Sequence, residues 1–468
     1  MNAIKFGTGG FRGVIGEDFT RETICGIAEA LSQIMEEEGV KKEIVVGYDR
    51  RRNSPETARE MAKVFASHGI HVYLTSTECP TPCVIYHVTA LSCDYGVMIT
   101  ASHNPATFNG VKVFTKGGYD ADEAFTNRLE RKYLEVQSIP ETFDESLIKT
   151  FEALTPYINH ALSFSKPHLD RPLRIAYDNL YGTGVTTIVP ALEKLGLKDI
   201  KVFHPERDCN FGGLLPNPLE VNLTGLKQFV TQEHYDVGFS ADSDADRLAV
   251  LDENGRFVTA NEILGCIYYY LVKVRGLKGD VVRNLATSQL LDDLAKQLGQ
   301  TCHEVDVGFK NITSEMTRVD ALLGGESSGG LTMRGYLKGK DTTFALLLFV
   351  NMMDDMKMPV SQIVKEVKTF AHYPSLDYES FVTYPKWMEQ GIEAYFEERS
   401  PSFVRPMIKK EKIGRNIRYW FSDHEWSLLR LSNTEPAIRI YLEIDDFALL
   451  KEEEARIQRF VAELGDSK

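Results

Sequence analysis

Three apolar, β-branched runs have the length and composition of buried parallel strands: Ile44 to Asp49 (IVVGYD), Leu173 to Asp178 (LRIAYD) and Asp280 to Asn284 (DVVRN). Helical patterns precede or follow them. In the stretch starting at Ser54, Ser54 can cap and Pro55 suits the first helical position, but Thr57 stands where a capping box needs Glu or Gln. Such alternation predicts parallel α/β sheets. Each segment also holds a later strand that ends in small polar residues: Tyr95 to Asn104, Asp236 to Asp244 and Ala321 to Ser328. Ser102, Asp242 and Glu326 in these loops fall 53, 64 and 42 residues after the opening strands end. The pattern reads as one architectural unit used three times, with loops at strand carboxyl ends that can converge on one cleft. Unrelated α/β elements are the competing reading.

Breaks fall near residues 140–150, 253–255 and 371–375, dividing the chain into units 1–150, 151–256, 257–371 and 372–468. The last differs from the others. Alternating runs at 417–421, 426–431 and 437–444 precede a helix over 447–464, an α+β arrangement.

Length and composition narrow the class. A chain of 468 residues, 43% hydrophobic and 26% charged, is long enough for several compact units, so a single small binding module is excluded. Its net charge of −14 disfavours nucleic acid and anionic membrane partners. No apolar run is long enough to span a bilayer, and the N-terminus lacks the apolar core of a signal peptide, so the expected location is the cytoplasm. The seven scattered cysteines read as reduced thiols. Cys79-Pro-Thr-Pro-Cys83 lacks the second ligand pair of a zinc site, for which His87 and Cys93 are poor substitutes.

Five motifs carry candidate chemistry. Asp242, Asp244 and Asp246 alternate in extended backbone and project to one side, which suits a hard divalent cation, Mg²⁺; a solvated acidic turn is the alternative. A calcium EF-hand over 242–253 needs Gly where Arg247 stands and a helix where Val237 to Ser240 forms a strand. Thr100-Ala-Ser-His-Asn-Pro105 puts the Ser102 hydroxyl at a strand end, useful as a nucleophile if phosphorylated or beside a metal, and otherwise a plain turn. Gly324 to Gly330 mimics a serine-hydrolase elbow at Ser327, with Asp377 and His424 downstream, yet Gly330 to Gly335 (GLTMRG) is a poor helix start. Glu326 and Ser328 there suit sugar hydroxyls. Arg430 to Arg439 (RLSNTEPAIR) sets two guanidinium groups around a turn that can hold a phosphate. Phe6 to Gly13 is neither a dinucleotide nor an NTP loop; its glycines suggest backbone pressed close to a ligand with Arg12 aimed at it.

Together, TASHNP at 100–105, DSDADR at 242–247, GGESSG at 324–329 and RLSNTEP at 430–436 resemble the α-D-phosphohexomutase family of phosphoglucomutases and phosphomannomutases. The resemblance implies three similar α/β domains with mixed sheets and a smaller α+β fourth around a central cleft. It makes Ser102 a phosphoserine, with Asp242, Asp244, Asp246 and a phosphate oxygen on Ser102 holding Mg²⁺. Glu326 and Ser328 would read the sugar; Arg430, Ser432, Asn433, Thr434 and Arg439 would hold the non-reacting phosphate. Arg12, His103, Lys112, Arg247 and Lys310 match positions near the reacting groups, and Arg12 or Lys112 would serve as general acid/base. The implied activity is intramolecular phosphoryl transfer between the 1- and 6-positions of glucose or mannose phosphate. Hexose 1,6-bisphosphate would be intermediate and activator, and a mobile fourth domain would accept either end of the sugar. Many relatives carry His where this chain has Gly330, so phosphoglucosamine mutase is the alternative within the family. The partner is a small hexose phosphate; oligomeric state is left open.

Overall fold

The computed structural model describes residues 4–7, 10–388, 392–431 and 436–466. Its first three sheets repeat one wiring. In the first, the strand Glu43–Tyr48 is flanked in parallel by His71–Thr75 and Tyr95–Ile99, and the latter pairs antiparallel with Phe108–Thr115. In the second, Arg174–Asp178 lies parallel to Asp199–Phe203 and Val237–Ala241, which then pairs antiparallel with Leu248–Leu251. In the third, Val281–Asn284 lies parallel to Cys302–Val305 and Leu323–Gly325, followed by antiparallel Leu331–Met333. The three chemistry-bearing loops thus leave the carboxyl end of the same strand in each unit. The sheets are mixed because the strand after each loop turns straight back, too short a connection for a parallel crossover.

That return strand removes the hydrolase reading of Ser327, since Leu331–Met333 is a strand where an elbow requires a helix. The fourth sheet, ordered Leu376–Thr383, Ala437–Ile444, Trp426–Leu431, Asn416–Trp420 and Lys409–Ile413, is wholly antiparallel. The helix Phe447–Asp466 covers one of its faces through Leu450, Ile457 and Val461. Its other face sets Trp426, Leu428 and Tyr441 against Leu285 and Ala286 of the third unit.

One local expectation changes. Ser54 is the first helical residue rather than the cap: Asn53 precedes the helix Ser54–Ser67 in the left-handed region, and the Ser54 hydroxyl donates instead to Asp49 Oδ1 at 2.8 Å. The helix Thr342–Met356 is apolar all round and accordingly buried, packed against Leu154–Leu162, Ile188–Lys194 and Ala260–Tyr269 in a core continuous through the first three units. At about 1.5–3 kcal/mol per buried large apolar side chain, this shared helix adds strongly to the contacts that hold the first three units together. Among the described residues no helix is long and apolar enough to cross a membrane.

Candidate functional site

The site forms where the first two units meet. Ser102 has φ +50°, a left-handed conformation unusual for a side chain with a Cβ, and is held there from several directions. Its N–H donates to Thr100 Oγ1 at 2.9 Å, and its carbonyl accepts from the Ser243 hydroxyl at 2.6 Å and from the Arg51 guanidinium. Arg51 is fully buried. It also donates to the carbonyls of Asn104, Pro105 and Phe108, so one side chain fixes the course of the whole loop. The Ser102 hydroxyl donates to Asp242 Oδ2 at 2.8 Å and lies 3.3 Å from His103 Nδ1. Burial, then Arg247 and Arg12, push the His103 imidazole well below its usual pKa, so it stands neutral.

Asp242, Asp244 and Asp246 are buried with ligand oxygens within 4.8 Å of one another. The loop is tied on both sides: Asp244 O accepts from Thr81 N at 2.9 Å and Asp244 Oδ2 from the Thr81 hydroxyl at 2.6 Å, while Asp242 Oδ1 takes the N–H groups of Asp246 and Arg247. Lys112 Nζ reaches Asp244 Oδ2 at 2.7 Å and Asp246 Oδ2 at 2.9 Å. Burial opposes charge on all three acids; the lysine nonetheless holds Asp244 and Asp246 below the usual carboxylate range. Burial and its two acidic neighbours push Asp242 well upward. Asp244 Oδ1 and Asp246 Oδ1 are buried with no hydrogen-bond partner. Three clustered carboxylates with two orphaned hard oxygens are the donor set a divalent cation requires, so these residues fit Mg²⁺.

Arg12 lies on the strand Gly10–Val14 and donates from Nη1 to Asn104 Oδ1 at 2.5 Å. Its flanking glycines serve packing rather than a ligand: a Cβ at Gly10 would lie 2.5 Å from Val111 O, and one at Gly13 2.7 Å from Asp18 Cβ. Arg247 Nε stands 4.0 Å from Asp242 Oδ2 and 3.9 Å from Asp246 Oδ1.

The third loop closes over this centre. Leu248 N donates to Gly329 O at 3.2 Å, and Gly329, at φ +91°, has no room for a Cβ, which would fall 2.7 Å from Leu248 O. Glu326 accepts from the Ser328 hydroxyl at 2.6 Å and from Asn284 Nδ2 at 3.2 Å. Lys310 is half-buried in the first turn of the helix Phe309–Val319 and, among the described residues, makes no ion pair with these carboxylates. Arg430 and Arg439 face each other across neighbouring strands, Arg439 paired with Glu379 at 3.1 Å. Ser432, Asn433 and Thr434 lie outside the described residues.

Arg51, Thr81, Asn284 and Lys340 are not recognisable from motif chemistry. Lys340 Nζ lies 3.4 Å from Asp246 Oδ2 and 3.7 Å from Glu326 Oε1, joining the metal loop to the sugar loop. Its one sequence signal is position, directly before the cap Asp341 of the buried helix Thr342–Met356. Among the described residues the three aspartates are the one group of three or more His, Cys, Asp or Glu side chains arranged to hold a metal.

The chain matches the family descriptions "Phosphoglucomutase/phosphomannomutase, alpha/beta/alpha" domain I over residues 3–139, domain II over 155–255 and domain III over 259–370. It belongs to that family. A phosphoglucomutase/phosphomannomutase of Thermococcus kodakarensis is 28% identical over 464 residues, with 94% of each chain covered. A phosphoglucosamine mutase of Campylobacter jejuni is 27% identical over 465 residues, covering 97% of this chain and 98% of that one. A crystal structure from Thermus thermophilus superposes with TM-score 0.85 at 25% identity, over 98% of this chain and 99% of that one. The Aspergillus fumigatus N-acetylphosphoglucosamine mutase, solved with GlcNAc-6P and magnesium, shares the fold at TM-score 0.59 and 14% identity, covering 99% and 96%. Mutases of this family are phosphotransferases that use Mg²⁺, a phosphoserine and a bisphosphorylated sugar, and the triad here can hold that ion.

Proposed function

We propose that this chain interconverts hexose 1- and 6-phosphates, those of glucose, mannose or both, through a phosphoserine at Ser102 and a hexose 1,6-bisphosphate. The observation that carries the reading is the Ser102 hydroxyl donating at 2.8 Å to a buried aspartate triad that has carboxylate oxygens left over. Asp242, Asp244, Asp246 and a phosphate oxygen on Ser102 hold Mg²⁺, which when bound neutralises charge on the transferring phosphoryl group.

The rest is done by side chains. Phosphoserine 102 gives its phosphoryl group to the free hydroxyl of a hexose monophosphate: the Oγ–P bond breaks, the sugar O–P bond forms, and as the hydroxyl gives up its proton to a side-chain base, Ser102 Oγ takes one from a side-chain acid, so that the serine hydroxyl is restored. Arg12 and Arg247 line the approach as fixed cations for the equatorial oxygens. Arg12 and Lys112 are the candidate proton carriers; against the opposing effect of burial, two carboxylates hold the Lys112 ammonium charged, which suits it to donate. The bisphosphate then turns over, and its other phosphoryl group returns to Ser102, whose O–H already points at Asp242. Glu326 and Ser328 hold the sugar hydroxyls in both orientations, while Arg430, Ser432, Asn433, Thr434 and Arg439 take whichever phosphate is not reacting. Lys310 is assigned, with Arg12, His103, Lys112 and Arg247, to the surroundings of the reacting groups.

An assay converting glucose 1-phosphate to glucose 6-phosphate, with Mg²⁺ and a trace of glucose 1,6-bisphosphate, tests the proposal; mannose 1-phosphate runs beside it. Label passing from a radiolabelled bisphosphate to a peptide containing Ser102 is the expected companion result. Ester hydrolysis, or calcium binding without turnover, would replace the reading. The named Campylobacter relative makes glucosamine phosphate the alternative substrate.

A further inference from the structure

Thr81 opens the helix Thr81–Ala90 directly after Pro80, so its N–H has no helical carbonyl to meet. That N–H donates instead to Asp244 O at 2.9 Å, and the Thr81 hydroxyl donates to Asp244 Oδ2 at 2.6 Å. Lys112, on the strand Phe108–Thr115, brings its ammonium to the same Oδ2 at 2.7 Å and to Asp246 Oδ2 at 2.9 Å. Lys340 Nζ approaches that second oxygen from 3.4 Å. The side-chain donors thus converge on one oxygen of each acid. Asp244 Oδ1 and Asp246 Oδ1 are left without a hydrogen bond, and Arg247 Nε, 3.9 Å from Asp246 Oδ1, is too far to make one. Asp242 shows the same division: Oδ1 takes the N–H groups of Asp246 at 2.9 Å and Arg247 at 3.1 Å, while Oδ2 faces the Ser102 hydroxyl at 2.8 Å.

We propose that Thr81 and Lys112 are positioning residues that hold Asp244 and Asp246 as one-oxygen ligands and thereby favour Mg²⁺ over Ca²⁺. This deepens the mutase reading and rests on its metal assignment. A carboxylate oxygen has about two lone-pair sites. At Asp244 Oδ2 a hydroxyl and an ammonium fill them, and at Asp246 Oδ2 two ammonium groups face them, so neither acid closes on an ion with both oxygens. Ca²⁺ takes about six to eight oxygens and uses carboxylates through both of theirs, whereas Mg²⁺ takes a small octahedral set and keeps several waters. One oxygen per acid suits the smaller ion and leaves the larger short of ligands. The two ions carry equal charge, so the field of the site does not by itself separate them; the number of available oxygens does. Both pins come from the first unit and both acids from the second, so the preference is assembled only where these units meet.

The test titrates MgCl₂ and CaCl₂ separately into the protein by calorimetry, with no sugar phosphate present, and reads the ratio of the two Kd values. In the native protein Mg²⁺ is expected to bind at least about tenfold more tightly than Ca²⁺. Thr81→Val keeps the side-chain shape and loses the hydroxyl, and narrows the ratio by about threefold or more; Thr81→Ser, which keeps the hydroxyl, retains the native ratio. Lys112→Met releases an oxygen on each acid and narrows the ratio by about tenfold, whereas a lysine that acted only through its charge would shift both ions alike. The two variants probe the pin independently, so a folding defect in one leaves the other as the test. Native Kd values within about twofold of each other, a ratio unmoved in both Thr81→Val and Lys112→Met, or a Thr81→Ser ratio that falls with Thr81→Val overturns the assignment. Mg²⁺ binding and mutase turnover with an unmoved ratio remove this inference alone, while a protein that binds the ions with the expected ratios and turns over no sugar phosphate removes the mutase reading alone.

Discussion

Two seams of this molecule bury carboxylates, and they treat them in opposite ways. Between the first and second units, Asp244 and Asp246 are kept ionised by Lys112, with Lys340 and Arg247 close by, while burial and these two acids push Asp242 well upward. Between the third and fourth units, Glu304, which stays open to solvent, is matched by Arg283 at 2.7 Å and Arg418 at 2.8 Å, while the buried Glu443 has no cation in bonding range among the described residues. Glu443 is fully buried and accepts from Gln289 N at 3.1 Å; burial pushes its pKa up to about 8, so it holds a proton at neutral pH. At the first seam two carboxylates keep their charge beside oxygens that a cation can bind, whereas at the second the fully buried Glu443 keeps its proton. A reaction centre needs fixed charge, and a docking surface does not.

Four perturbations break or sharpen that contrast. Ser102→Ala is expected to abolish mutase turnover, by at least about 10⁴-fold in kcat, with thermal unfolding unchanged. Full activity in this variant would remove the nucleophile assignment. Asp246→Asn should cost about 10²–10³-fold in kcat and weaken Mg²⁺ binding read by titration calorimetry, and EDTA should silence the native enzyme reversibly. Arg51→Lys keeps the buried charge but cannot span four carbonyls, so we expect kcat to fall about 10–100-fold with KM little changed. A rise in KM alone would show that the Ser102 loop does not depend on it.

The smallest effect belongs to the second seam. Between pH 4.5 and about 8 the folded chain retains a proton on Glu443 that the unfolded chain has lost, so this group's stability contribution falls as pH rises through that window and is level above it. Glu443→Gln removes the dependence. Its melting temperature should match the native protein near pH 5 and exceed it at pH 8, by an amount on the order of 1–3 kcal/mol in unfolding free energy. An unchanged pH profile in differential scanning calorimetry would show that Glu443 is ionised at the seam.

Much of the site was legible because its residues sit in short contiguous loops whose spacing reflects local backbone geometry. The strand runs at 44–49, 173–178 and 280–284 already implied the repeated unit, and the run of Asp242, Asp244 and Asp246 named the metal group; extended alternation is not what gathers it, because Ala245 turns at φ +51° and its N–H bonds Asp242 O at 3.0 Å. Two local readings failed for a tertiary reason: Ser54 turns to Asp49 instead of capping, and Gly10 and Gly13 admit neighbouring backbone rather than a ligand. Residues that act by bridging segments carried no such signal. Arg51 reaches a loop some fifty residues away, Thr81 anchors Asp244, and Lys340 occupies the space of Gly330.

What the sequence determined by itself was therefore the set of reacting groups and the strand ends that carry them, since periodicity and loop chemistry are properties of neighbours along the chain. Only the tertiary structure decided which cation meets which carboxylate, which acid keeps its proton, and which lysine stands beside the sugar loop. Those choices depend on burial and on distances between segments far apart in the chain, and desolvation has no one-dimensional signature.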